Sequence, residues 1–445
     1  MTISKNKKYS PEFLITASFL ILLITCLWIV KLVPNIDYFF MSILLRVYLT
    51  ITIIFYLAKF GRTLRLQKLR NVDILLIIMT VLGIISVIFS IDKDMAINGI
   101  YGRYEGIFSI VSYYALFYIA SNIREEHEKS LILSILVSIL IFSCIVGIIT
   151  GLGLLESINT SWEHAASIPY GHPNFFGSVA SITVALGIGM FFFSKNKTVI
   201  IWGFITYLLG VMAVYSCDSS SPIVGNIMVF LLILVLKTIL CIRQKDKKEF
   251  LRFISRFVIF LVIYVGLIFF MNFIRDGRVF KEFKFNSDNL KGGVSSNSFM
   301  TGRMGIWKAA FKELPNYWLH GAGVDNFVYV AEYAGINGAT YYFDKAHNEY
   351  LHIMLTEGVA SAAVYIGFLF ILFIRSLKSF KENVKNNAWI YLSCFMAFFA
   401  YIAQAFFNIR IIFVAPYFWI ICGILYNNPS AEKEVVLSEK KAHKI

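Results

Sequence analysis

The sequence predicts an all-α integral membrane protein, a bundle of about 12 transmembrane helices with a large outer loop containing short amphipathic helices. Three observations lead there. Hydrophobic residues fill 58% of the 445 positions and charged residues only 15%, where a soluble domain carries about 25% charged residues. Mean hydropathy is +0.70. Apolar runs that match the hydrocarbon core, at ~20 residues per spanning helix, recur along the chain.

Twelve such runs centre on residues 12–33, 38–58, 74–91, 106–121, 130–155, 173–193, 198–215, 222–241, 253–273, 349–374, 387–407 and 411–427. Inside hydrocarbon every backbone amide must find a partner in its own segment, so runs this apolar are helices. The first run has no small-residue cleavage site and is long enough to span, so it reads as a retained helix rather than a signal peptide. Lys5, Lys7 and Lys8 precede it. Further basic groups follow alternate runs: Lys59 to Arg70, Lys195 and Lys197, Arg243 to Lys248, Arg375 to Lys385, and the tail lysines. Short loops rich in Lys and Arg stay cytoplasmic, which places both termini inside. The chain then divides into an N-terminal bundle of nine helices (1–273), a large extracytoplasmic loop (274–346), three C-terminal helices (347–430) and a cytoplasmic tail (431–445).

The same topology accounts for the net charge of +14 without a nucleic-acid partner. Six scattered cysteines, Cys26, Cys144, Cys217, Cys241, Cys394 and Cys422, show neither a disulfide framework nor zinc spacing. The inner loops carry no glycine-rich phosphate loop. A substrate reached from the outer face is expected, with no cofactor and no metal.

Five segments face outward in this reading: 92–105, 156–173, 216–221, 274–346 and the turn at 408–410. The large loop holds nine basic and seven acidic residues. Such a surplus fits an anionic ligand, and it equally fits a loop long enough to escape the positive-inside bias. Within it, Thr301 to Leu314 reads as a helix with an apolar stripe of Met304, Trp307, Phe311 and Leu314, ended by Pro315–Asn316. Pro315 to Phe343 reads as irregular and rich in tyrosine, a residue that favours the membrane interface.

Individual residues carry paired readings. His347 is a candidate general base, its imidazole titrating near ~6.5; equally, His347-Asn348-Glu349 opens a helix, with Asn348 as the cap. Arg303 can grip a phosphate through its planar fork of donors or sit at the interface. Arg103 can bind an anion or pair with Glu105. His172 lies in Gly-His-Pro-Asn, an ordinary helix start with proline at its first position, and is a lesser site candidate. Asp92 and Asp94 form a D-x-D that is common by chance. Gln404 and Asn408 flank the last outer turn, where capping suffices.

Several segments together resemble the O-antigen ligase and O-antigen polymerase family of bacterial envelope enzymes. They are TGRMGIWKAAFKELPNYWLHGAGVDNF, DKAHNEYLHIMLTEGVAS and AQAFFNIRIIFVAPYFWIICGIL, with GIYGRYEGIFSIVSYYALFY and GHPNFFGS earlier in the chain. The resemblance implies a multi-pass protein of the bacterial cytoplasmic membrane. It implies glycosyl transfer from an undecaprenyl-pyrophosphate-linked glycan donor onto a hydroxyl of a glycan or lipid-linked glycan acceptor, without nucleotide or metal. Carried over, His347 orients or deprotonates the acceptor, Arg303 holds the pyrophosphate, and Arg103 is a second phosphate contact. Trp307, Asn348 and His172 support them. Family members often carry an arginine in a Ser-Arg-Gly-like segment; the corresponding SCDSSSPIVG has none, and Arg103, Arg275 or Arg278 could take its place. Polymerase is preferred to ligase because nothing in the sequence selects a lipid A acceptor. The alternatives are a lipid-linked oligosaccharide transporter (flippase), which should show an internal repeat, and a cell-wall polymerase, which should show a prominent outer carboxylate.

Overall fold

The computed structural model describes residues 9–32, 38–63, 69–154, 165–291, 303–336, 343–385 and 389–427, and every regular element among them is α-helical. Residues 156–164, 301–302, 337–342 and the tail 431–445, all invoked above, lie outside the described residues. The first helices are α1 (Pro11–Leu32), α2 (Phe39–Thr63), α3 (Asn71–Ile88), α4 (Lys93–Asn98), α5 (Ile107–Ala120) and α6 (Glu126–Gly151). Next come α7 (Pro173–Phe193), α8 (Lys197–Val214), α9 (Ser221–Gln244), α10 (Lys247–Ile274), α11 (Arg278–Lys291) and α12 (Arg303–Lys312). The last are α13 (Leu314–Tyr317), α14 (Phe327–Tyr333), α15 (Glu349–Thr356), α16 (Val359–Lys385), α17 (Trp389–Gln404) and α18 (Ala415–Tyr426).

Among the described residues, nine helices are long and apolar enough to cross a membrane: α1, α2, α3, α6, α7, α8, α9, α10 and α16. The other three predicted runs become the shorter helices α5, α17 and α18. At 1.5 Å per residue these reach only about 18–24 Å. Their burial explains how they can be short. Nearly every residue of α18 and most of α5 and α17 are covered by protein, and backbone irregularity at membrane depth is tolerated where protein covers it.

Contacts between helix ends sort the chain into two sets. At one end Ser10 bonds Glu128 at 2.6 Å, Lys59 pairs with Glu12 at 3.0 Å, and Arg70 reaches Asp73 and Ser121. Lys129, fully buried, bonds Tyr391 and the Asn427 carbonyl. At the other end Ala166 bonds Ser216, Ser219 bonds Asn174, and Asn408 bonds both Asn174 and Ser178. There Arg275 also pairs with Asp218, Arg103 with Asp344 and Arg410 with Glu105. All five segments grouped by charge in the sequence thus send described residues to this second end.

Helix α7 is the axis of the bundle, buried along almost its whole length. It meets α8 through small residues. A Cβ at Gly203 would lie 2.8 Å from the Phe191 backbone nitrogen, and one at Gly187 2.6 Å from that of Tyr207. Glycines let helix backbones approach this closely where apolar burial alone gives helices no preference for one another over lipid.

Two local expectations are corrected. The predicted run 349–374 is broken: α15 ends at Thr356, Gly358 adopts φ +92°, and α16 starts at Val359. The freed carbonyls find partners. Leu355 accepts from the Ala322 amide at 2.9 Å, and Thr356 from Gly323 at 3.0 Å and from Ser86 Oγ at 2.7 Å, while the Val359 amide donates to Trp318. Such a break survives inside the bundle because the 318–323 segment supplies what a continuing helix would have supplied. The second correction concerns the helix at Arg303. It stops at Lys312, and Pro315 falls in the first turn of α13 rather than ending α12. Its buried positions are Ile306 and Ala310, packed against α14 and α15, whereas Phe311 of the expected stripe is exposed. Trp307 and Leu314 of that stripe pack against the same cluster, and Phe311 turns outward.

Overpacking the α7–α8 contact should cost about 1–3 kcal/mol. Gly203→Leu is expected to lower the thermal midpoint in detergent. Gly266→Leu, where a side chain meets nothing within 4 Å, should leave it unchanged; equal midpoints for the two variants would refute the close approach.

Candidate active site

The segment entering α15 is fixed residue by residue. Asp344 takes a 2.8 Å ion pair from Arg103 Nε. Lys345, buried, pairs with Asp325. The Ala346 carbonyl accepts from Trp307 Nε1 at 2.9 Å. Asn348 accepts the Leu351 amide at 3.0 Å, the cap that its sequence position allowed. Between these anchors His347 adopts a left-handed φ of +49°. Its Nδ1 is buried with no hydrogen-bond partner among the described residues.

Around this ring the structure gathers the other sequence candidates. Arg303, in the first turn of α12, acts electrostatically on His347, as do Asp344, Arg103 and His172. Among the described residues no hydrogen bond or ion pair engages the Arg303 guanidinium, and burial alone lowers its pKa. Arg103 is held by Asp344 rather than by the neighbouring Glu105 and lies over the Phe175 ring at 5.1 Å. His172 caps α7: its Nδ1 accepts the Asn174 amide at 3.1 Å, leaving the proton of the neutral ring on Nε2. The D-x-D is structural. Asp92 caps α4 and accepts from Tyr329, while Asp94 accepts from Asn98.

Charge follows from this placement. Burial, then Arg303, push the His347 imidazole down to about 4, with Asp344 opposing. Burial, then Arg103, bring His172 to about 4 as well. Burial works against the Asp344 carboxylate, but the charge and hydrogen bond of Arg103, with Lys345, outweigh it and hold the group below its ordinary value. The site therefore presents two uncharged imidazoles and two guanidinium ions, one of them balanced. A neutral imidazole can accept a proton, and a guanidinium without an acidic partner can receive an anion.

Beneath it lies a set of buried charges that spacing did not reveal. Arg410 bonds Glu105 at 3.0 Å and Glu357 at 3.2 Å, and Tyr113 also donates to Glu105. Glu349 accepts from Tyr365 at 2.6 Å and Tyr401 at 3.0 Å. Their only signal in sequence is isolated charges at the edges of apolar runs or, for Glu357, inside one. Arg275, raised as a stand-in for the missing arginine, does reach that segment: it forks onto Asp218 at 2.7 and 2.9 Å and bonds the Tyr215 carbonyl. Arg278 opens α11.

The two lowered histidines make folding sensitive to acid. Unfolded, each binds a proton near pH ~6.5; folded, near 4. Between these values the unfolded state holds more protons, so stability falls as pH drops through that window and is level above it. The thermal midpoint in detergent should decline from about pH 6.5 toward 4. A His172→Gln/His347→Gln double variant should make that decline shallower, the buried His352 still contributing to it, and an unchanged slope would contradict the burial of both rings.

No curated protein matches the chain. A family model described as O-antigen ligase does match, over residues 208–366, which hold Arg303, Trp307, His347 and Asn348 but not Arg103 or His172. Residues 208–366 are thus similar to the O-antigen ligase family, in a chain that carries, among the described residues, nine helices long and apolar enough to cross a membrane.

Proposed function

We propose that the protein is a membrane glycosyltransferase that moves a glycan from an undecaprenyl-pyrophosphate donor onto a hydroxyl acceptor at the outer face of the bacterial cytoplasmic membrane. The carrying observation is that His347, with no hydrogen bond to its buried Nδ1, shares one cluster with Arg303, whose guanidinium has no partner among the described residues.

The chemistry follows from those two groups. His347 accepts the proton of the acceptor hydroxyl as its oxygen bonds to the anomeric carbon. The bond from that carbon to the pyrophosphate oxygen breaks, and the leaving group departs with the electron pair as undecaprenyl pyrophosphate. Attack opposite the leaving group inverts the anomeric centre. Arg303 neutralises the charge that develops on the departing pyrophosphate, where a fixed cation in a site of low water content acts strongly. Arg103, already balanced by Asp344, is a secondary phosphate contact, and Arg275, forked onto Asp218, is less available still. His172 lines the same cluster. Lowered as it is, the His347 ring stays unprotonated and ready through the neutral range. In this reading both termini are cytoplasmic, the basic helix ends lie inside, and polymerase action is preferred to ligation onto a lipid core.

Purified full-length protein, given lipid-linked repeat units extracted from cells lacking it, should lengthen or transfer them. His347→Ala should reduce the rate by about 10²–10⁴-fold. Arg303→Lys, which keeps the charge and loses the fork, should weaken turnover less than Arg303→Ala. Full activity in His347→Ala would reject the assignment, and transport of the lipid-linked unit without elongation would favour the flippase.

A further inference from the structure

The base candidate does not hold its own position. Asp325, in the turn between α13 and α14, is buried and adopts φ +60°. Its Oδ1 pairs with Lys345 and lies 4.0 Å from His352 Nε2, and its Oδ2 accepts the Ile100 amide at 2.8 Å. The adjoining Asn326 reinforces the same junction, accepting the Asp92 amide at 2.9 Å and donating to the Asp92 carbonyl at 3.2 Å. One buried carboxylate thus joins the loop that carries Arg103 to the residue two before His347. The Arg103–Asp344 pair runs beside it. The two ion pairs fix consecutive residues, Asp344 and Lys345, to opposite partners.

We propose that Asp325, acting through Lys345, is a positioning residue for His347; the inference rests on the glycosyltransferase reading above. A carboxylate that accepts from both a lysine and a backbone amide sets the relative placement of two chain segments in a way that a single contact cannot. In a site of this kind a shift of about 1 Å can lower turnover by as much as ~10²-fold. Asp325 touches neither Arg303 nor the imidazole of His347, so donor binding should survive its loss.

The test uses full-length protein and lipid-linked repeat units extracted from cells that lack it, with kcat and KM measured for Asp325→Asn and Asp325→Glu alongside thermal midpoints. Asp325→Asn should lose about 10- to 100-fold in kcat with KM for the donor within about twofold of wild type, and Asp325→Glu should recover part of it. A wild-type kcat in Asp325→Asn overturns the proposal. So does a loss of activity that merely tracks the folded fraction. If Asp325→Asn does not fold, Lys345→Arg decides by the same criteria, since it keeps the charge and moves the contact. His347→Ala in parallel separates the two ideas: an active His347→Ala removes the glycosyltransferase reading itself, whereas an inactive His347→Ala with a fully active Asp325→Asn removes only the positioning role.

Discussion

Charge buried among apolar helices must be matched, and at one end of this bundle the matching is done almost wholly across distant parts of the chain. Glu105 meets Arg410, Asp344 meets Arg103 and Asp218 meets Arg275. In surroundings of low polarity, removing one member of such a pair leaves an uncompensated ion, which is far worse than losing the pair altogether. Each pair therefore fixes a junction: the start of α5 to the turn before α18, the loop before α5 to the entry of α15, the end of α10 to the turn between α8 and α9. Against that background of balanced ions, the Arg303 guanidinium and the Nδ1 of His347, neither of them bonded among the described residues, stand out.

The helical skeleton was legible in sequence because it follows from transfer energetics. Runs such as Pro173–Phe193 and Glu126–Gly151 announce themselves by length and apolarity. The sorting of helix ends was legible too, since the basic loops alternate. The break at Gly358 was hidden inside an apolar run, because what permits it is a set of carbonyl partners on residues 318–323, more than thirty positions earlier. The stripe of α12 was partly right: Trp307 and Leu314 pack against the cluster that buries Ile306 and Ala310, while Phe311 is exposed.

The candidate site was half legible. His347, Arg303, Trp307, Arg103 and His172 were singled out by type and context, and all fall in one cluster. Their partners were not. Asp344, Lys345 and Asp325 look like ordinary loop charges, and no local periodicity links Asp325 to Ile100 or Asp344 to Arg103 across more than two hundred residues. Asn348 went the plain way: it caps a helix, and by doing so orients the first turn that carries Glu349 toward Tyr365 and Tyr401.

The backbone twist at His347 has a consequence for which side chains could ever occupy that position. A left-handed conformation excludes β-branched residues on steric grounds and disfavours most others, while glycine, asparagine, aspartate and histidine enter it more readily. Of those four, one offers a neutral ring nitrogen basic enough to take a proton. The geometry of the chain there has already narrowed the choice before any reaction is considered.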